Sequence, residues 1–156
     1  FANILNNDRV KLPTMVNRMA RVQAQDMISV FMYIDISGSC FSYKDRFYAA
    51  AKSLNPKRFD VRLFSFDTQV KELNLKDFRV YGGGGTSFSI IERSIQDIIK
   101  KDGLKKYPHV WAISDGDGDH VNPQVPENWK WFMVDKHFNK SYIPAKSKVY
   151  FLEDFE

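Results

Sequence analysis

Residues 30–40 read VFMYIDISGSC, and the fold turns on them. An apolar run from Ile28 to Ile34 ends abruptly in Asp35-Ile36-Ser37-Gly38-Ser39. That pattern predicts a buried strand opening into a polar loop, with one carboxylate and two hydroxyls offered at its carboxyl end. In an open α/β sheet, ligands bind outside the carboxyl ends of the strands. Asp35, Ser37 and Ser39 place oxygen donors at alternate positions, which suits a hard cation such as Mg²⁺.

Two later stretches have the same character. Gly82-Gly83-Gly84-Gly85-Thr86-Ser87 presents a hydroxyl after a flexible glycine loop. Val110-Trp111-Ala112-Ile113-Ser114-Asp115-Gly116 reads as a second buried strand ending in a carboxylate. The glycine run is not a P-loop, because Thr86-Ser87 stands where Lys-Ser/Thr is needed. It is not a dinucleotide fingerprint either, since glycines at 82 and 84 would require a third at position 87, which is serine.

Taken together, the three stretches resemble the von Willebrand factor A domain and its metal-ion-dependent adhesion site, written D-x-S-x-S, then T, then D. Asp35, Ser37 and Ser39 fill the first part, Thr86 the second and Asp115 the third, in the family's order. The resemblance implies a Rossmann-like α/β fold of intracellular type: a mostly parallel central sheet, one antiparallel edge strand, and helices on both faces. It implies that Ser37 and Ser39 coordinate a divalent cation directly while Asp35 neutralises its charge. Thr86 would bind directly or through water, and Asp115 would act through water. Mg²⁺ is the expected cofactor, with Mn²⁺ or Ca²⁺ compatible. The two carboxylates formally balance the charge of the ion, and the neutral hydroxyl donors leave it electrophilic with one open position, which a partner's Asp or Glu can fill.

Size and composition agree with one compact domain. The 156 residues are 44 % hydrophobic and 27 % charged, a globular balance, and the chain is long enough to bury a sizeable core. A single cysteine, Cys40, excludes an internal disulfide framework and suits a reducing compartment. No apolar run approaches the ~20 residues of a membrane span, and no signal-peptide pattern opens the chain. A cytoplasmic protein without a membrane role is therefore expected. Because residue 1 is Phe, the chain reads as the C-terminal part of something longer.

The net charge is +4, and lysines cluster at 100, 101, 105 and 106 and again at 136, 140, 146 and 148. They read as a solvated helix end and loop; a surface for phosphate or an acidic partner is the sharper alternative. No recognised nucleic-acid motif accompanies them.

Along the chain, residues 1–26 form a lead-in segment, helical from Pro13 to Gln25, and residues 27–156 form the domain. Strands are expected at 27–35, 59–66, 107–114, 129–134 and 148–152, with a short antiparallel strand at 69–75. A helix over 42–54 buries Phe47, Ala50, Ala51 and Leu54. A second helix, capped by Ser87, buries Ile91, Ile95, Ile98 and Ile99 and ends near Asp102-Gly103.

Asp115-Gly116-Asp117-Gly118-Asp119 invites a calcium-loop reading, but His120 stands at its sixth position and Pro126 at its twelfth. Asp117 and Asp119 then read as a solvated turn, with tuning of the metal's charge as the alternative, and His120 as a surface histidine. Catalysis is not expected. A haloacid-dehalogenase-type phosphotransferase needs a second aspartate where Ser37 stands, and no Ser-His-Asp or Cys-His arrangement is evident. What remains is a metal-dependent adaptor that binds a protein partner. Such intracellular domains often work with AAA+ ATPases; a nucleic-acid-associated role, as in Ro-like proteins, is the alternative.

Overall fold

The computed structural model describes residues 27–74, 76, 84–134 and 136–155. The expected lead-in helix over 13–25 and the first glycines of the 82–85 run lie outside the described residues.

Among the described residues six strands form one sheet: β1 (Ile28–Asp35), β2 (Phe59–Phe66), β3 (Val70–Leu73), β4 (His109–Ser114), β5 (Trp129–Met133) and β6 (Lys148–Phe151). Their spatial order is β3-β2-β1-β4-β5-β6, and only the β2–β3 pair is antiparallel. Two α-helices are described, α1 (Lys44–Lys52) and α2 (Ser89–Asp102). The architecture is the expected Rossmann-like α/β sheet with an antiparallel edge.

The apolar run of β1 is continuous because both faces of this central strand are covered. Val30, Met32 and Ile34 pack with Phe47 and Ala51 of α1, while Phe31 and Tyr33 pack with Ile91 and Ile95 of α2. From β1 the chain runs to one side through α1 into β2. After β3 it returns through α2 to β4 on the other side. With both crossovers of the usual right hand, opposite directions put the two helices on opposite faces. Strand order therefore reverses between β1 and β4, and the space outside their carboxyl ends is the switch-point crevice where such sheets bind ligands.

Local chemistry sets the element ends. α1 starts later than the spacing predicts, because Phe41–Tyr43 winds as a 3₁₀ turn before it. The helix still buries Phe47, Ala50, Ala51 and, just beyond it, Leu54. The Ser53 hydroxyl donates to the Ala50 carbonyl at 2.7 Å, closing the final turn. α2 ends on Gly103 in the left-handed region (φ 63°), and the Leu104 amide reaches the Ile99 carbonyl at 3.1 Å. Arg62 ties the far edge together: it grips both carboxylate oxygens of Glu72 on β3 at 2.8 and 2.9 Å, and Asp102 of α2 at 2.8 Å. The connections from β4 to β5 and from β5 to β6 carry 3₁₀ turns (Pro126–Asn128 and Lys140–Tyr142) in place of helices.

Candidate metal centre

Asp35 is the last residue of β1 and is fully buried, its carboxylate held from two directions. Oδ1 accepts from the Ser37 amide at 2.9 Å, and Oδ2 accepts from the Ser114 hydroxyl at 2.6 Å. Ser114 ends β4, so this second bond spans the switch point and depends on β1 lying beside β4. The Gly116 amide in turn donates to Ser114 Oγ at 3.1 Å and orients it. An ionised carboxylate offers about four lone-pair directions, so lone pairs remain on Asp35 for a cation.

Burial pushes the Asp35 carboxyl above the ordinary range; the bonds from Ser114 and Ser37 work against that, and the charge of Asp115 adds to it. A carboxylate so placed is costly to ionise until a positive charge arrives.

The hydroxyls lie close by. Ser37 is 5 % exposed, and its buried Oγ has no hydrogen-bond partner among the described residues. Ser39 Oγ donates to Asp115 Oδ2. Its proton thus faces the carboxylate, and its lone pairs stay free for another acceptor role. Asp115 Oδ1 takes the Asp117 amide at 3.1 Å. Ser37, Ser39 and Thr86 line one open cleft of about 370 Å³ with Gly38, Gly84, Gly85, Asp117, Gly118 and Asp119. Of the five residues of the sequence motif, Asp35 and Asp115 therefore approach each other, Ser39 bonds to Asp115, and Ser37 and Thr86 share the cleft.

Asp119 does something that local sequence did not predict. Ser87 does not cap α2: the helix starts from Phe88, which contributes no side-chain cap. The cap comes instead from Asp119, whose Oδ1 accepts the Phe88 and Ser89 amides (2.5 and 3.1 Å) and whose Oδ2 accepts the Ser87 and Ser89 hydroxyls (3.1 and 2.7 Å). A carboxylate at a helix N-terminus satisfies orphaned amides and meets the positive end of the dipole. It also fastens the loop bearing Thr86 to the loop bearing Asp115. Gly118 makes this close approach possible, since a Cβ there would lie 2.6 Å from the Phe88 ring.

Burial alone would raise the Asp119 carboxyl, but the bonds from Ser89, Phe88 and Ser87 outweigh it and hold it below its ordinary range. Its contribution to stability is therefore present above the ordinary carboxylate value and lost as pH falls through the lower folded value. Asp119→Ala is expected to cost about 1–2 kcal/mol at neutral pH, the upper part of the range for a lost cap. Urea unfolding at pH 7 and again at acid pH measures it, with the gap from wild type closing as the pH drops.

Cys40, which the sequence motif passes over, is fully buried beside these groups. Ligand atoms of Asp35, Cys40 and Asp115 all lie within 4.8 Å of one another. Burial pushes the Cys40 thiol up, and the nearby charges of Asp35 and Asp115 push it further. The only signal in the sequence was its place directly after Ser39. His120 is exposed and packs edge-on against Tyr142, with ring centroids 4.9 Å apart.

The donor set fits a divalent cation. A buried carboxylate beside a second one, with an unpartnered buried hydroxyl at the same loop, is an arrangement that a cation would stabilise. Both lysine clusters are exposed, and Lys136 pairs with Glu153 and Asp154 at 3.4 Å. No helix among the described residues is long and apolar enough to cross a membrane.

Fold and site together define an α/β protein with a carboxylate–hydroxyl cluster at its switch point. The chain matches no family model and no curated protein.

Proposed function

We propose that this chain is a von Willebrand factor A-type domain that binds a protein partner through a divalent cation. Asp35, Ser37 and Ser39 would hold the ion, with Thr86 and Asp115 at its margin, and Mg²⁺ is the first choice among Mg²⁺, Mn²⁺ and Ca²⁺. When bound, the ion supplies an electrophilic open position that accepts an Asp or Glu side chain. The chain's own part is to preorganise oxygen donors and keep the cleft open. The observation carrying the reading is the meeting of Asp35 and Asp115 across the β1–β4 switch point, with the orphaned Ser37 hydroxyl beside them. A cytoplasmic setting and an AAA+ ATPase as working partner go with this reading, and no catalytic residue is assigned.

The test is a pull-down with the chain as bait in Mg²⁺, in EDTA, and with Asp35→Asn. A partner retained in Mg²⁺ and lost in both other arms, and lost again when its own contacting Asp or Glu is replaced, supports the proposal. Retention that survives EDTA and falls steeply with salt supports binding of nucleic acid through the exposed lysines instead.

A further inference from the structure

We propose that Cys40 Sγ is a ligand of the same centre for thiophilic divalent cations such as Zn²⁺, Cd²⁺ and Co²⁺, acting with Asp35 and Asp115. This rests on the proposed metal-binding role of the cleft and goes beyond it, because the sequence motif contains only oxygen donors.

The geometry comes first. Donor atoms sharing one ion at about 2.0–2.3 Å can stand no more than about 4.6 Å apart. The sulfur and the two carboxylate oxygens lie within 4.8 Å of one another, and around a tetrahedral ion they would stand about 3.3–3.8 Å apart, so side-chain shifts of about 1 Å bring all three onto one ion. The backbone fixes the sulfur there: the Cys40 and Phe41 amides both donate to the Ser37 carbonyl at 3.0 Å, folding the loop back toward Asp35.

The environment argues against a passive role. A structural cysteine is usually a small apolar filler among apolar neighbours. Cys40 has two carboxylates within 4.8 Å, a setting that becomes favourable for a thiolate once a cation lies between the three. The Ser37 hydroxyl, 95 % buried at the same loop, has no hydrogen-bond partner among the described residues, and a cation beside it would satisfy its oxygen.

Three protein donors of S and O type, with a fourth position open, form a set that zinc-like ions accept, and thiolate selects them over Mg²⁺. On binding, the thiol proton passes to solvent water and a sulfur lone pair goes to the metal. No electron changes hands. Hard ions would then sit on the hydroxyl side, and softer ions would sit deeper, beside the buried Cys40 and Asp35.

The experiment titrates the EDTA-stripped, reduced chain with Co²⁺ and Cd²⁺, following sulfur-to-metal charge-transfer absorption, and with Mg²⁺ by calorimetry. Wild type, Cys40→Ser and Asp35→Asn are compared. Wild type is expected to show the charge-transfer band at one equivalent of metal. Cys40→Ser should lose the band and at least about tenfold in Cd²⁺ affinity, while Mg²⁺ affinity stays within about twofold. Absence of the band in wild type that still binds Mg²⁺ through Asp35 overturns the role of Cys40 and leaves the proposed function standing. Unchanged Cd²⁺ affinity in Cys40→Ser does the same. If wild type and Asp35→Asn are alike in binding none of the three metals, both this inference and the proposed function fall.

Discussion

Metal-free Asp35→Asn is expected to melt at a higher temperature than metal-free wild type at neutral pH, yet to gain nothing from added Mg²⁺. Asp35 is fully buried, and burial raises its carboxyl above the value it has in the unfolded chain. For a group shifted that way, the stabilising contribution is present below the ordinary carboxylate value and lost as pH rises through the higher folded value. At neutral pH, above the ordinary carboxylate value, that contribution is diminished and the metal-free protein carries the cost of the buried carboxyl.

Asparagine removes that cost without breaking the local geometry. Its carbonyl oxygen can accept the Ser37 amide, and its NH₂ can donate to Ser114 Oγ. Alanine would strand both groups and confuse the result. Melting curves of the two stripped proteins should converge as pH falls and separate as it rises.

The metal arm runs the other way. A ligand at a hundredfold excess over its dissociation constant adds about 2.7 kcal/mol to a one-site protein. Wild type should gain that amount in saturating Mg²⁺ or Mn²⁺, and Asp35→Asn should gain close to none. Calorimetric titration showing the same affinity for both proteins would mean that Asp35 is not a ligand.

The larger effect on stability belongs to Trp111→Ala, expected to cost about 3–5 kcal/mol. Trp111 stands in the middle of β4, paired with Met32 of β1, and is 2 % exposed. Its indole tilts against Phe59 at 5.9 Å and meets Phe132 edge-on at 6.2 Å, linking β2, β4 and β5 on the α1 face. Truncation leaves a hole walled by the close-packed central strands, which cannot collapse into it. Against a usual domain stability of about 5–15 kcal/mol, that is a large share of the total. Urea unfolding should show an earlier midpoint with an unchanged slope.

Trp111→Phe is the informative companion. The indole Nε1 is buried without a hydrogen-bond partner among the described residues. Phenylalanine removes that unsatisfied donor along with some volume, so its cost should fall well below that of alanine. A loss from Trp111→Ala below about 1 kcal/mol would show that the site relaxes and that the α1-side core is looser than its packing implies.

How far the sequence could be read depended on how far apart the interacting residues stand. β2 runs from Phe59 to Phe66, the span expected from the sequence, because the pattern that marks a strand is contained within eight residues. The buried run of β1 and the carboxylate that ends it were legible for the same reason. The cap of α2 was not: Ser87 sits at the right distance before the helix, but Asp119, thirty residues on from Ser89, holds its amides. An aspartate between glycines looks like a solvated turn until Gly118 is seen against the Phe88 ring.

The chain itself determined the residue types of the candidate centre and their position at strand ends, since strand period and polar punctuation are local properties. Which of those groups meet was decided by tertiary structure alone. Ser114 reaches Asp35, and Cys40 comes to lie beside Asp115, across some seventy-five to eighty residues of chain, and only because β1 and β4 are paired in one register. That register depends on burying two faces of apolar side chains at once, a condition that no short window of sequence contains.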